Sequence, residues 1–184
     1  MDAACPANQD DAPTIRSKPM TYTPHVRQIS LAELEIVRDL ALQIWPKCYR
    51  SIIAPDHIDS MLSALFDLDT LEQDITEKGH IYWVIRVGHR DVGFASAHLD
   101  GTRVWLTKLY VLADYRGFGL GKMLVSAAQD YFAPAAHMAV CVHKEHDSAV
   151  DFCLRSGFSI DREIPFSLGA YGFTDYVMRK DLRN

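Results

Sequence analysis

Apolar positions change period several times along this chain, and each change marks an element. From Leu34 the spacing is helical, with Leu34, Val37, Ala41, Ile44 and Trp45 on one face. Ahead of it, Ser30-Leu31-Ala32-Glu33 fits a capping box: Ser30 caps the helix and Glu33 reaches back. Pro46 lacks a backbone N–H and is expected to stop or kink this helix. A second helix starts at Pro55, a favoured first helical residue, and turns Ile58, Met61, Leu62, Leu65 and Phe66 inward. Asp69 is expected to cap a short third helix, with Glu72 three residues later and Gly79 at its end.

Strand-like runs flank this helical block. Thr23–Ile29 precedes it. After it come Ile81–Val87, a turn at Gly88–Asp91, Val92–His98, a turn at Asp100-Gly101, and the long run Arg103–Leu112. These three form a meander. Met123, Leu124, Ala127, Ala128 and Tyr131 then recur at helical spacing. Met138–Val142 reads as a buried strand and Asp147–Arg155 as a short helix ended by Gly157. Phe158–Arg162 and Thr174–Arg179 read as the last strands, joined by a glycine-bearing loop.

Residues 1–19 hold Pro6, Pro13 and Pro19 among Asp, Ala, Asn and Gln, the composition of a disordered tail. Met20 is an alternative start, and residues 20–184 make a single folded domain by length. The net charge of −5 argues against non-specific nucleic-acid binding and favours a cationic partner. Four cysteines form no CxxC pair, which fits a reduced, cytoplasmic compartment. No apolar run approaches the ~18 residues of a membrane span. The acidic N-terminus lacks the apolar centre of a secretory signal.

The chemistry concentrates at Leu109–Lys122. A strand, Leu109-Tyr110-Val111-Leu112, runs through the turn Ala113-Asp114-Tyr115 into Arg116-Gly117-Phe118-Gly119-Leu120-Gly121-Lys122, and a helix follows. Glycines there let the backbone take up positive φ and approach a ligand closely. Successive N–H groups and the helix N-terminus then form an anion cradle, most naturally for phosphates. A Walker A loop is excluded because position 116 is Arg and position 123 is Met. The dinucleotide fingerprint is excluded because position 122 is Lys.

What remains, Arg-x-x-Gly-x-Gly after a strand, resembles the GNAT superfamily of acyl-CoA-dependent N-acyltransferases. Ala149-Val150-Asp151-Phe152-Cys153-Leu154-Arg155-Ser156-Gly157-Phe158 is similar to that family's closing motif. A narrower resemblance links Ile44-Trp45, Tyr49, Ile52-Ile53, Ile58-Asp59, Met61-Leu62, Lys108–Val111 and Asp175–Met178 to bacterial spermidine/spermine acetyltransferases of the PaiA type.

The resemblance implies an α/β (α+β) fold. A central, mixed, mostly antiparallel sheet would be flanked by helices, with acyl-CoA in the splay between the fourth and fifth strands. It implies an acetyl-CoA-dependent N-acetyltransferase acting on a primary amine, a polyamine among the candidates, by direct attack in a ternary complex. An aminoglycoside-like amine and a protein N-terminus stay open as acceptors, as does a non-catalytic acyl-CoA sensor. A homodimer is also consistent with it.

By the same resemblance, the N–H groups of Arg116, Gly117, Phe118, Gly119, Leu120, Gly121 and Lys122 hold the pyrophosphate of coenzyme A. The backbone of Leu109, Tyr110 and Val111 bonds the pantetheine arm as an added strand. An N–H near Tyr110 or Val111 steadies the oxyanion. Cys153 stands where many members have a tyrosine acid, with Tyr115, Tyr171, Tyr176 and water as rivals. His146 stands where the family often has an asparagine that bonds the pantetheine arm. His98 is the candidate base, against rivals Asp56, Asp59, Asp67, Asp69, Glu72, Asp74 and Glu77. Cys141, His143 and His146 lack a fourth ligand and a zinc-like spacing, so no metal is expected.

Overall fold

A computed structural model describes residues 22–168 and 171–183, with backbone alone for 166–168 and 171. The expected tail, the alternative start at Met20 and residues 169–170 of the last loop lie outside the described residues, as does the Tyr171 side chain. In chain order the elements are β1 (Pro24–Gln28), α1 (Leu34–Cys48), α2 (Pro55–Phe66), α3 (Leu68–Thr76), β2 (Ile81–Val87), β3 (Arg90–Asp100) and β4 (Arg103–Val111). Then follow α4 (Leu120–Tyr131), β5 (His137–His143), α5 (Asp147–Arg155), β6 (Ser159–Leu168) and β7 (Tyr171–Asp181). The strands form one sheet in the order β1-β2-β3-β4-β5-β7-β6. β4 and β5 run parallel, and the other neighbours run antiparallel.

The entry to α1 is built as its sequence predicts. Glu33 reaches back and accepts from Ser30 N–H at 3.1 Å and Ser30 Oγ at 3.2 Å. Arg27 holds the same carboxylate at 2.6 Å. Two other local expectations are corrected. α1 runs through Pro46 to Cys48. The proline lies in the last turn, so it removes one backbone bond near the helix end, and Leu42, whose carbonyl loses that bond, is at the surface. The cap of α3 is Asp67 and not Asp69. Asp67 has an extended backbone that lets its carboxylate accept the Asp69 N–H at 3.1 Å, while Asp69 already lies inside the helix.

α1, α2 and α3 cover one face of the sheet. Trp45 and Phe66 pack there against Tyr110 and Phe94, with ring centroids 5.4–6.2 Å apart. α4 covers the other face, where Tyr131 and Phe132 meet Trp83. β3, β6 and β7 extend past their predicted ends because exposed polar residues such as Asp161, Arg162 and Glu163 continue β6 at the sheet edge.

One feature of the sheet positions the site. The β4–β5 ladder pairs Arg103 with His137 through Leu106 with Val140 and stops there. Beyond it, Thr107–Val111 and Cys141–His143 diverge. This is the expected opening between the fourth and fifth strands. Among the described residues, no helix is long and apolar enough to cross a membrane.

Candidate acyl-CoA site

A cavity of about 470 Å³ lies against the diverging part of β4. Its walls are Leu109 and Val111 of β4, the loop from Tyr115 to Lys122, and Ser148, Phe152 and Arg155 of α5. Side chains alternate along a strand, so Tyr110 between Leu109 and Val111 turns to the opposite face. There it is buried against Trp45 and Phe66. Its carbonyl turns to Gly93 of β3, so the edge of β4 that faces the splay is built from Leu109 and Val111.

The loop is shaped by left-handed glycines. Gly117 (φ +82°) and Gly119 (φ +80°) both line the cavity, and a Cβ on either would meet no atom within 4 Å. The space beside them is room for a ligand group that approaches the backbone closely. Gly119 is also the N-cap of α4, so the helix's first N–H groups and its partial positive charge open on the same space. Gly121 serves another purpose. A Cβ there would come within 2.9 Å of the Phe152 ring, so this glycine lets α4 and α5 pack closely at the cavity floor.

Arg116 lines the cavity and also braces the loop. Its Nε donates to the Val111 carbonyl at 3.0 Å, and Nη2 lies 3.7 Å from Cys48 Sγ at the end of α1. Lys122 adds a second cation to the wall, while Phe118 is exposed beside it.

His146 is fully buried at the N-cap of α5, with its ring 5.1 Å from Tyr49. Neither ring nitrogen has a hydrogen-bond partner. Burial, reinforced by His143 and the Arg116 charge, pushes its pKa down to about 3, so the ring is neutral at physiological pH. A buried polar group without a partner is costly unless a ligand satisfies it.

Two other residues singled out in the sequence lie elsewhere. Cys153 packs in the core at 1% exposure, and burial pushes its thiol up to about 12. His98 is half-buried and stacks on His80 at 4.5 Å, and burial lowers its pKa. Like His146, neither lines the cavity. Ser148, Arg155 and Phe152 do line it. The sequence signal for Phe152 was its place in the closing motif. Arg155 lies in the same motif at a position the family leaves open, and Ser148 lies just before it, so only the crossing of α5 over the splay brings these two to the cavity.

On the α1–α3 face, Asp74 is the hub of a buried polar group. Its carboxylate accepts from Tyr82 Oη at 2.8 Å, Lys108 Nζ at 2.9 Å and Lys78 Nζ at 2.9 Å. Burial opposes its ionisation, but the Lys108 charge and these bonds hold the carboxyl far below the usual range. His80, 3.9 Å from Asp74, is driven down to about 4 chiefly by burial and so stays uncharged beside it at neutral pH. The other acidic candidates, Asp56, Asp59, Asp67, Asp69, Glu72 and Glu77, are exposed. Among the described residues, no three His, Cys, Asp or Glu side chains are grouped to hold a metal ion.

This geometry can be set beside known proteins. The acetyltransferase (GNAT) family profile matches residues 38–158. An uncharacterized N-acetyltransferase of Mycobacterium tuberculosis is 30% identical over 149 residues, covering 78% of this chain and 94% of its own. The spermidine N(1)-acetyltransferase of Thermoplasma acidophilum is 20% identical over 142 residues, covering 74% of this chain and 88% of its own. In fold, the chain is similar to the PaiA N-acetyltransferase of T. acidophilum solved with coenzyme A. The TM-score is 0.75 at 19% identity, covering 86% of this chain and 99% of that one. A GCN5-related N-acetyltransferase from Rhodopseudomonas palustris gives a TM-score of 0.74 at 20% identity, covering 90% and 100%. With a parted β4–β5 pair, a glycine cradle at the start of α4 and a family match across both, this chain belongs to the GNAT family of N-acetyltransferases.

Proposed function

We propose that the protein transfers the acetyl group of acetyl-CoA to a primary amine by direct attack in a ternary complex, with polyamines such as spermidine and spermine as the leading acceptors. The observation that carries this reading is the cavity between β4 and α5, closed at one end by Gly117 and Gly119 at the start of α4. The likeness to a spermidine acetyltransferase and the net charge of −5 support a cationic acceptor.

In this reading the N–H groups of Arg116 through Lys122 take the pyrophosphate, helped by the Arg116 and Lys122 charges. The backbone of Leu109–Val111, past the end of the β4–β5 ladder, takes the pantetheine arm as a strand would. His146, neutral and unsatisfied, bonds a pantetheine amide, donating from one nitrogen or accepting at the other. The backbone N–H of Val111, on the edge of β4 away from β3, stabilises the oxyanion. Holding donor and acceptor together supplies much of the acceleration.

The proton inventory favours water over either side chain singled out earlier. A thiol at about 12 is a poor acid toward a departing thiolate whose ordinary pKa is near ~8.5, so Cys153 is assigned to packing. His98 is held against His80 and is assigned no contact with the reacting atoms. Tyr115, the rival acid that lines the cavity, stays open beside water, and the burial of Cys153 supports a second reading, an acyl-CoA-binding sensor without turnover.

Thiol release from acetyl-CoA across spermidine, spermine, an aminoglycoside and a peptide with a free N-terminus separates the two. Turnover with polyamines above the other amines is expected. Coenzyme A binding with no turnover on any amine would favour the sensor.

A further inference from the structure

At the root of the splay an inserted residue and a buried charge coincide. The β4–β5 ladder ends at Leu106–Val140. At the next step the β3–β4 register shifts: Ser96 lies opposite Lys108 and Ala97 opposite Leu106, so Thr107 is the extra residue. Such a bulge interrupts pairing, bends the strand and changes which backbone groups face its free edge. Leu109, the first cavity residue of β4, follows one position after Lys108.

The bulge is held from three elements. Thr107 Oγ1 donates to the Ser96 carbonyl at 3.1 Å and lies 3.4 Å from His80 Nδ1, which is itself 3.0 Å from Ser96 Oγ. Lys108 Nζ crosses to Asp74 of α3 at 2.9 Å, with 6% and 5% of the two side chains exposed. The ammonium passes 5.7 Å from both the Phe66 and Tyr82 rings. A buried ion pair is a poor way to gain stability, since apolar side chains of similar volume fill such a site as well or better. Its virtue is geometric. It fixes one direction for the Lys108 side chain and so one rotation for the backbone beside it.

We propose that the Lys108–Asp74 ion pair is a positioning device for acetyl transfer, locking the β4 bulge so that the backbone N–H groups on the edge of β4 away from β3, those of Leu109 and Val111, face the thioester carbonyl across the splay. The proposal rests on the acetyltransferase reading of the cavity. Lys108 acts through the backbone and is a positioning residue. The pyrophosphate cradle at Arg116–Lys122 does not depend on it.

Two variants separate positioning from stability. Lys108→Met removes the pin yet leaves Asp74 its bonds from Tyr82 and Lys78. Tyr82→Phe removes a bond equally buried at Asp74 that does not touch the bulge. The readouts are melting temperature, the dissociation constants of acetyl-CoA and coenzyme A by calorimetry, and kcat and KM with the best amine. Wild type is expected to bind acetyl-CoA several-fold more tightly than coenzyme A, and equal affinities would overturn the proposal. Lys108→Met brings that ratio near one, keeps coenzyme A affinity within about twofold, and lowers kcat at least tenfold, while KM for acetyl-CoA rises no more than its dissociation constant does. Tyr82→Phe lowers the melting temperature while the ratio and kcat stay within about twofold of wild type. Lys108→Met with wild-type kcat and ratio overturns the proposal, and so does an equal kcat loss in Tyr82→Phe. Should Lys108→Met not fold, Asp74→Asn keeps the shape and weakens the pull on Lys108, and the same ratio decides. A wild type that binds no coenzyme A overturns the reading of the cavity instead, a result visible before any variant is made.

Discussion

On the cavity side of β4, Leu109 and Val111 present apolar side chains, and the polar part of the wall comes from the glycine loop with Arg116 and Lys122 and from Ser148 and Arg155 of α5. On the other side, Lys108 and Tyr110 are held by side chains from α1, α2, α3 and β2. One strand thus carries two kinds of construction. The donor side is local: fourteen consecutive positions, Leu109–Lys122, supply a strand edge, a turn, two left-handed glycines and a helix N-terminus. The other side is assembled from residues far apart in the chain, and Asp74, Lys78, Tyr82 and Lys108 are bonded to one another there. A backbone-built site tolerates side-chain change except where glycine is required. A side-chain-built network fails when any one partner is lost.

Gly121→Leu should break the donor side most severely after the cradle glycines. The added side chain meets Phe152 at a place where a Cβ alone is already at 2.9 Å. Overpacking of this kind costs about 1–3 kcal/mol. α5 must move, and coenzyme A affinity should fall by more than tenfold in calorimetry. Unchanged affinity would mean that the α4–α5 contact does not shape the cavity.

The buried histidines sharpen the comparison through pH. His146 has a folded pKa of about 3 against an ordinary 6.5, so the unfolded chain binds the extra proton between those values. Its contribution is fully present above pH 6.5 and is lost as pH falls toward 3. At pH 5 that loss is about 2 kcal/mol relative to pH 8. Urea midpoints at the two pH values should differ accordingly. In His146→Asn the difference should shrink by a similar amount, and an identical pH dependence in that variant would remove His146 as its source.

The smallest effect is expected at Cys153. Cys153→Ala should cost about 1 kcal/mol of stability, as a small buried side chain does. The pH–rate profile from pH 6 to 9 should superimpose on wild type. A tenfold drop in kcat at unchanged stability would restore Cys153 as the acid.

The same contrast explains what was legible in the sequence. The glycine loop, the capping box at Ser30–Glu33 and the meander could be read because each depends on residues within a few positions of one another. The cavity lining supplied by Leu109, Val111 and Gly117–Lys122 followed from them. Asp67 and Asp69 both precede helical residues in the sequence, and only the backbone turn decides for Asp67 as the cap. Pro46 does not end α1 because a proline in a last turn breaks far less than one in a helix centre. The Asp74–Lys108–Tyr82 hub was invisible. Its members lie on α3, β4 and β2 with no shared motif, and only the packing of α3 over the sheet brings them together. Cys153 and His98 were chosen for chemical type. Burial, which the sequence does not display at single positions, sets what those groups can do.

The central claim is that the loop between β4 and α4 holds the pyrophosphate of coenzyme A with its backbone. Calorimetric titration of coenzyme A into wild type and Gly119→Val tests it most directly. A side chain at φ +80° strains the loop and fills the space that the glycine leaves open. The account predicts micromolar binding by wild type and at least a hundredfold loss in the variant, with a melting temperature only a few degrees lower. Equal affinity in the two proteins would contradict it.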